Sequence, residues 1–289
     1  ADEEVGHGDD RDGVEARPVR AEELRGRPEK FAEHYNQATL FYDSQSEAEK
    51  AHIVGAFRFE LSKVTVPAVR ERMVANLMNV SRELATSVAA GLGMGPIEPS
   101  PRALARVPRA EVRQSAALSL LAHPGDGSIR SRKIALLVCD GVAGASLAAA
   151  QQALFEAGAV PRLVGPRIGP FVTAEGETLQ ADASMENEPA VLFDALVLPD
   201  GERAVKALAV DGRAAEFVKE QYRHCKPILA LGASSTLLEG AGASKILEDG
   251  SEDPGIVAGQ EDDDEAIAAF LDAMSQHRHW VREKDPPLV

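Results

Sequence analysis

Residues 226–239 read KPILALGASSTLLE, and the fold turns on how they are parsed. Residues 227–231 form an apolar run that predicts a buried strand. Gly232 supplies a tight turn, and 234–239 open a helix with Ser234 as its N-cap. Strand, sharp turn and helix together make the frame in which many α/β proteins present a nucleophile. The apex positions here, Gly232 and Ala233, carry no reactive group.

Reading outward, IALLVC (134–139) is a continuous apolar run, as expected of a parallel strand covered on both faces. A helix over about 144–157 follows and is stopped by Gly158. Further strands are expected at 160–164, 194–198 and about 255–258, with helices that include 213–224 and 262–279. FVTAEGETLQADA (171–183) predicts a hairpin turning at Glu175 and Gly176. This alternation of strand and helix over 132–289 predicts an α/β fold with a doubly wound, flavodoxin-like parallel sheet.

Residues 28–94 have a different period, and they predict a small all-α region. Ser46 and Glu49 form a capping box before Ile53, Phe57 and Leu61 at helical spacing. Pro67 suits the first turn of a second helix bearing Val69, Met73 and Leu77. A third runs from Ser81 through Leu84, Val88 and Leu92 to a stop at Gly93. Such a group has little interior of its own, so its apolar faces are expected to cover another body. Residues 95–131, rich in Pro, Arg and small residues, read as a linker draped over a surface. Residues 1–27 are nearly devoid of apolar side chains and read as an extended arm.

Bulk properties narrow the function classes. The formal net charge of −15 argues against nucleic acid or an anionic membrane as the main partner, since both require a basic face. No apolar run reaches the roughly 18 residues that suggest a membrane span. The charged N-terminal residues lack the apolar centre of a signal peptide. Cys139 and Cys225 are too few for a disulfide framework or a four-cysteine metal site, and a reducing cytoplasm suits them.

The strand ends at 139–146, 198–204 and 231–235 are where such a sheet binds ligands. Gly141 and Gly144 give only part of a dinucleotide-binding pattern, and the second strand ends without the required acid. Ser146 alone is a thin basis for a phosphate site and reads as a helix cap. Ser234 lacks the final glycine of a serine elbow and has no matching base. Cys139 ends a core strand and reads as a buried thiol; Cys225 precedes a strand, is expected to be partly exposed, and lacks a base. His277 and His279 lack a third metal ligand and read as solvated residues at a helix end. Asp262, Asp263, Asp264 and Glu265 oppose the dipole of the helix they open and do not match calcium-loop spacing.

The surroundings of KPILALGA resemble the class I glutamine amidotransferase-like superfamily, whose elbow reads K-P-I-A-A-I-C-H-G. On that resemblance the nucleophilic Cys falls on Gly232 and the following His on Ala233. The superfamily's Glu, in a D-G-F-E-like loop, falls on Ala143. All three functional positions are therefore expected to be vacant, and no catalytic, cofactor-binding or metal-binding residue is expected in this chain. A second resemblance organises the rest. RPEKFAEHYNQATLFYDSQSEAEKAHIVGAFRFELSKVTVPAVRERMVANL (27–77) closely resembles the helical region that follows the β-barrel of large-subunit haem catalases. In those proteins a linker and a flavodoxin-like terminal domain come next, and FLDAMSQHRHWVRE (270–283) is similar to their last helix. The resemblance implies the C-terminal portion of a protein that disproportionates hydrogen peroxide. It further implies haem held in a barrel outside this chain, a barrel portion as partner, and a homotetramer. Tyr35, Tyr42 and Tyr222 lie outside the family's haem-ligand motif. The alternative is an independent amidotransferase-like enzyme or small-molecule binder using the strand-end crevice.

Overall fold

The computed structural model describes residues 29–106, 110–123, 125–261, 263–284 and 289. The arm expected over 1–27, and Asp262 of the acidic run, lie outside the described residues. The chain divides into two compact units between Leu118 and Ser119.

The first unit contains α1 (Asn36–Asp43), α2 (Glu47–Ser62), α3 (Pro67–Val80) and α4 (Arg82–Gly91). The Ser46 hydroxyl accepts from the Glu49 amide while the Glu49 carboxylate accepts from the Ser46 amide, so the capping box forms. Pro67 sits in the first turn of α3, and Ser81 caps α4 through the Leu84 amide. The core is small: Tyr42, Leu61, Val74, Leu77, Leu84, Ala85 and Val88. Val69 and Met73, expected on the apolar face of α3, stay exposed, as do Phe31 and Phe59. A few short helices cannot bury all their apolar surface against one another. Residues 95–106 and 110–118 run back over this unit. The Ser100 amide donates to Ala75 O, Arg102 reaches Asn79, and the Gln114 side chain donates to Asp43 O.

The second unit holds β1 (Lys133–Leu137), α5 (Gly144–Glu156), β2 (Val160–Gly165), β3 (Gly169–Val172), β4 (Thr178–Ala181), β5 (Ala183–Ser184) and β6 (Ala195–Leu198). It continues with α6 (Glu202–Ala209), α7 (Gly212–Arg223), β7 (Ile228–Leu231), α8 (Ser235–Ala241), β8 (Ile256–Gly259) and α9 (Asp264–Ser275). The main sheet has six strands in the order β5-β2-β1-β6-β7-β8, and every pairing in it is parallel. The predicted doubly wound, flavodoxin-like sheet is therefore present. Helices cover both faces, which is why β1, β6 and β7 are apolar at nearly every position. The expected hairpin is β3-β4, with Glu175 and Gly176 in its turn. The two-residue edge strand β5 is additional to the sequence reading. The last helix ends at Ser275 rather than at residue 279, and residues 277–284 leave it to fold back against the domain.

Candidate functional site

The turn after β7 is a short 3-10 segment, Gly232–Ser234, leading directly into α8. Gly232 has φ +55°, a left-handed conformation that glycine adopts at little cost. It also has no room for a side chain: a Cβ there would overlap the Asp200 carboxylate. Asp200 comes from the end of β6. Its Oδ1 accepts from the Ala233 amide at 2.9 Å and from the Gly201 amide at 2.6 Å. In a nucleophile elbow, the N–H after the nucleophile helps bind the developing oxyanion. Here that position is Ala233, and its N–H is given to a resident carboxylate. One side chain thus fills both the space of an elbow nucleophile and the field of its oxyanion donor. Sequence reasoning did not single out Asp200. Its only local sign is the Asp-Gly pair ending LPDG at 198–201.

The third vacant position, Ala143, is buried and is the N-cap residue of α5. Its amide donates to Asp200 O at 2.8 Å, which ties the end of β1 to the end of β6 across the switch point of the sheet. The β3-β4 hairpin is latched over the same loop. Gly141 N donates to Val172 O at 2.7 Å, Ala174 N to Val142 O at 2.8 Å, and Val172 N to Asp140 Oδ1 at 2.8 Å. From the hairpin turn, Glu175 Oε2 accepts from Gly144 N at 3.0 Å, and this bond holds the Glu175 carboxyl below its usual range.

Several sequence expectations change at this point. Ser234 does not cap α8 through its side chain. Its buried hydroxyl donates to Leu198 O at 2.7 Å and Leu231 O at 2.8 Å, which pins the elbow to β6. Ser146 is not a cap either. It is fully buried in the first turn of α5 and accepts from the Asp200 amide at 3.1 Å. Cys225, expected to be partly exposed, is buried with φ +58°, and burial pushes its thiol up to about 11. Cys139 is buried as expected and is raised to about 11, again by burial first. Thiols so shifted are poor nucleophiles at neutral pH.

His279 is buried, not solvated. Its Nε2 donates to Ala273 O at 3.1 Å, its amide donates to Cys225 O at 2.8 Å, and burial lowers its pKa. His277 follows the helix end and is exposed. The described residues contain no group of three or more His, Cys, Asp or Glu placed to hold a metal ion. Asp263 caps α9 through the Ala266 amide at 2.9 Å, and Asp264 and Glu265 lie in the first turn.

Beside His279 the terminal segment is fastened by a buried ion pair. Arg282 Nε and Nη2 donate to Asp253 Oδ2 at 2.6 Å and Oδ1 at 2.9 Å, with the two side chains 2% and 0% exposed. Arg282 Nη1 also donates to Lys226 O and Tyr222 O, and the guanidinium lies 4.6 Å from the Tyr222 ring centroid. Every part of this cluster is satisfied internally, so it serves as a fastening between the C-terminal segment and the sheet.

A family model described as the C-terminal domain found in long catalases matches residues 130–284. This chain belongs to the long-catalase C-terminal domain family. A second model, described as catalase-related immune-responsive, matches residues 28–92. Among curated relatives, a catalase HPII of Pseudomonas putida is 39% identical over 267 residues, covering 92% of this chain and 35% of the relative. Catalase C of Rhizobium meliloti is 37% identical over 260 residues, covering 90% and 36%. Catalase-2 of Bacillus subtilis is 30% identical over 266 residues, covering 91% and 36%. The chain thus spans little more than a third of the length of these catalases. In this long-catalase domain, no helix among the described residues is long and apolar enough to cross a membrane.

Proposed function

We propose that this chain is a non-catalytic C-terminal portion of a haem catalase, and that the whole protein disproportionates hydrogen peroxide to water and oxygen in the cytoplasm. Residues 28–94 serve as the helical region, 95–131 as the linker and 132–289 as the terminal domain. On this reading the partner is the catalase haem barrel, the assembly is a homotetramer, and this portion stabilises it. The observation that carries the non-catalytic role is the Asp200 carboxylate at the elbow, which takes the space above Gly232 and the amide of Ala233.

On this reading haem is held outside the residues described here. Tyr42 packs inside the small core of the helical unit, and the Tyr222 ring lies against the Arg282 guanidinium. Tyr35 donates to Asn76 Oδ1 at 3.4 Å within the helical unit. No step of the peroxide reaction is therefore assigned to this chain. Deleting residues 132–289 from the whole catalase tests the role. The expected outcome is retained turnover per haem with faster loss of the tetramer on heating. Loss of turnover per haem in an intact, haem-loaded tetramer would contradict it.

A further inference from the structure

The ends of β1 and β2 carry a cavity that the elbow does not use. It has a volume of ≈ 250 Å³ and is lined by the buried residues Phe171, Ala181 and Cys139, with exposed Ala207 at its edge. Two exposed arginines line it, Arg167 from the loop after β2 and Arg203 from the first turn of α6. The Arg203 stem is laid across Gly141, where a Cβ would come within 2.7 Å of the Arg203 Cβ. Any larger residue at 141 would force the Arg203 stem to shift. Among the described residues no carboxylate forms an ion pair with either arginine. The acidic group on the cavity wall, Asp140, already has one oxygen engaged by the Val172 amide. The local balance is two positive charges against one negative.

We propose that this cavity binds a small organic monocarboxylate, its charge held between Arg167 and Arg203 and its apolar body on Phe171 and Ala181. Planar guanidinium forks match carboxylate geometry and bind it with charge-assisted bonds. A net local charge of one unit suits a monoanion, and Asp140 repels a second negative charge, which disfavours phosphate dianion. The apolar lining rewards a short hydrocarbon tail, which inorganic anions lack. The site adjoins the carboxyl ends of parallel strands, where α/β sheets bind ligands.

The test is calorimetric titration of the 289-residue chain with butyrate and, separately, with inorganic phosphate, at low ionic strength. Butyrate is expected to bind with one-to-one stoichiometry and more tightly than phosphate. Arg167→Met and Arg203→Met are each expected to weaken it by about tenfold or more, the effect of losing one charge-assisted contact. Ala207→Trp keeps both charges but sets an indole at the exposed edge of the cavity, and is expected to abolish binding by obstructing it. Circular dichroism confirms that each variant is folded. Undetectable butyrate binding at millimolar concentration, equal binding by the parent and Ala207→Trp, or tighter binding of phosphate would each overturn the proposal.

Discussion

Restoring a thiol at the elbow, by Gly232→Cys, tests how the vacancy is maintained. The new residue meets two penalties. A left-handed φ of +55° costs a non-glycine residue about 1–2 kcal/mol. Its Cβ also overlaps the Asp200 carboxylate, so that carboxylate must leave and release the Ala233 and Gly201 amides. Hydrogen bonds to a charged group contribute about 1.5–3 kcal/mol each, and water recovers part of that at this half-buried site. The single variant should therefore lose about 3–6 kcal/mol. Asp200→Gly alone should lose about 1–3 kcal/mol, the penalty for stranding the amides. In G232C/D200G the overlap is gone, so the double variant should be more stable than the sum of the singles predicts, by at least about 1 kcal/mol. Urea unfolding followed by circular dichroism supplies all four corners of the cycle. A Gly232→Cys protein as stable as the parent would refute the reasoning, and strictly additive losses would show that Asp200 and position 232 do not compete.

Three further outcomes follow from the same geometry. Arg282→Leu should destabilise the domain by about 3–5 kcal/mol because it strands the buried Asp253 carboxylate, while Arg282→Leu/Asp253→Leu should lose less than either single variant; equal losses in urea unfolding would mean that the pair is not coupled. Lys226 is 2% exposed, donates to Ala190 O and Val191 O, and is lowered to about 8 chiefly by burial. A lysine lowered in the folded state penalises folding below that value and ceases to do so above its unfolded pKa. Its own contribution to stability should therefore rise by at most about 3 kcal/mol between pH 8 and about pH 10.4. The difference between the parent and Lys226→Met should follow that rise, and a pH-independent difference would contradict it. Ser234→Ala should cost about 1–3 kcal/mol through the unsatisfied Leu198 and Leu231 carbonyls, whereas the loss of a mere cap would leave the β6–β7 spacing intact; amide exchange at Ala233 and Ser235 distinguishes the two.

The parts of the fold legible in sequence are those encoded locally. The strands β1, β6 and β7 are buried on both faces, so each is a short uninterrupted apolar run between turn residues. The Ser46–Glu49 box and the proline of α3 announce their helices through chemistry within one turn. Helix α6 falls between the strands where helices are expected, but the sequence reading gave it no bounds. Strand β5 pairs through two residues and has no pattern to read.

The site divides in the same way. The expectation of vacancies at Gly232 and Ala233 comes from one local motif and that at Ala143 from another. The occupant of the elbow was not legible, because Asp200 reaches Ala233 from 33 residues away and no local rule pairs them. Burial of Cys225 and His279 was hidden for a related reason. His279 belongs to the terminal segment that folds back after α9 and packs against Cys225, and the Arg282–Asp253 pair that fastens this segment joins positions 29 apart. Composition describes such residues as polar and terminal, while tertiary packing places them inside.

The central claim is that peroxide chemistry belongs to the rest of the catalase and not to these residues. The most direct measurement is the visible absorbance spectrum of this 289-residue chain, purified after expression with haem supplied, read alongside oxygen evolution from hydrogen peroxide. The account predicts no Soret band and no oxygen evolution above the buffer rate. A Soret band that copurifies with the chain, together with peroxide-dependent oxygen release, would contradict it.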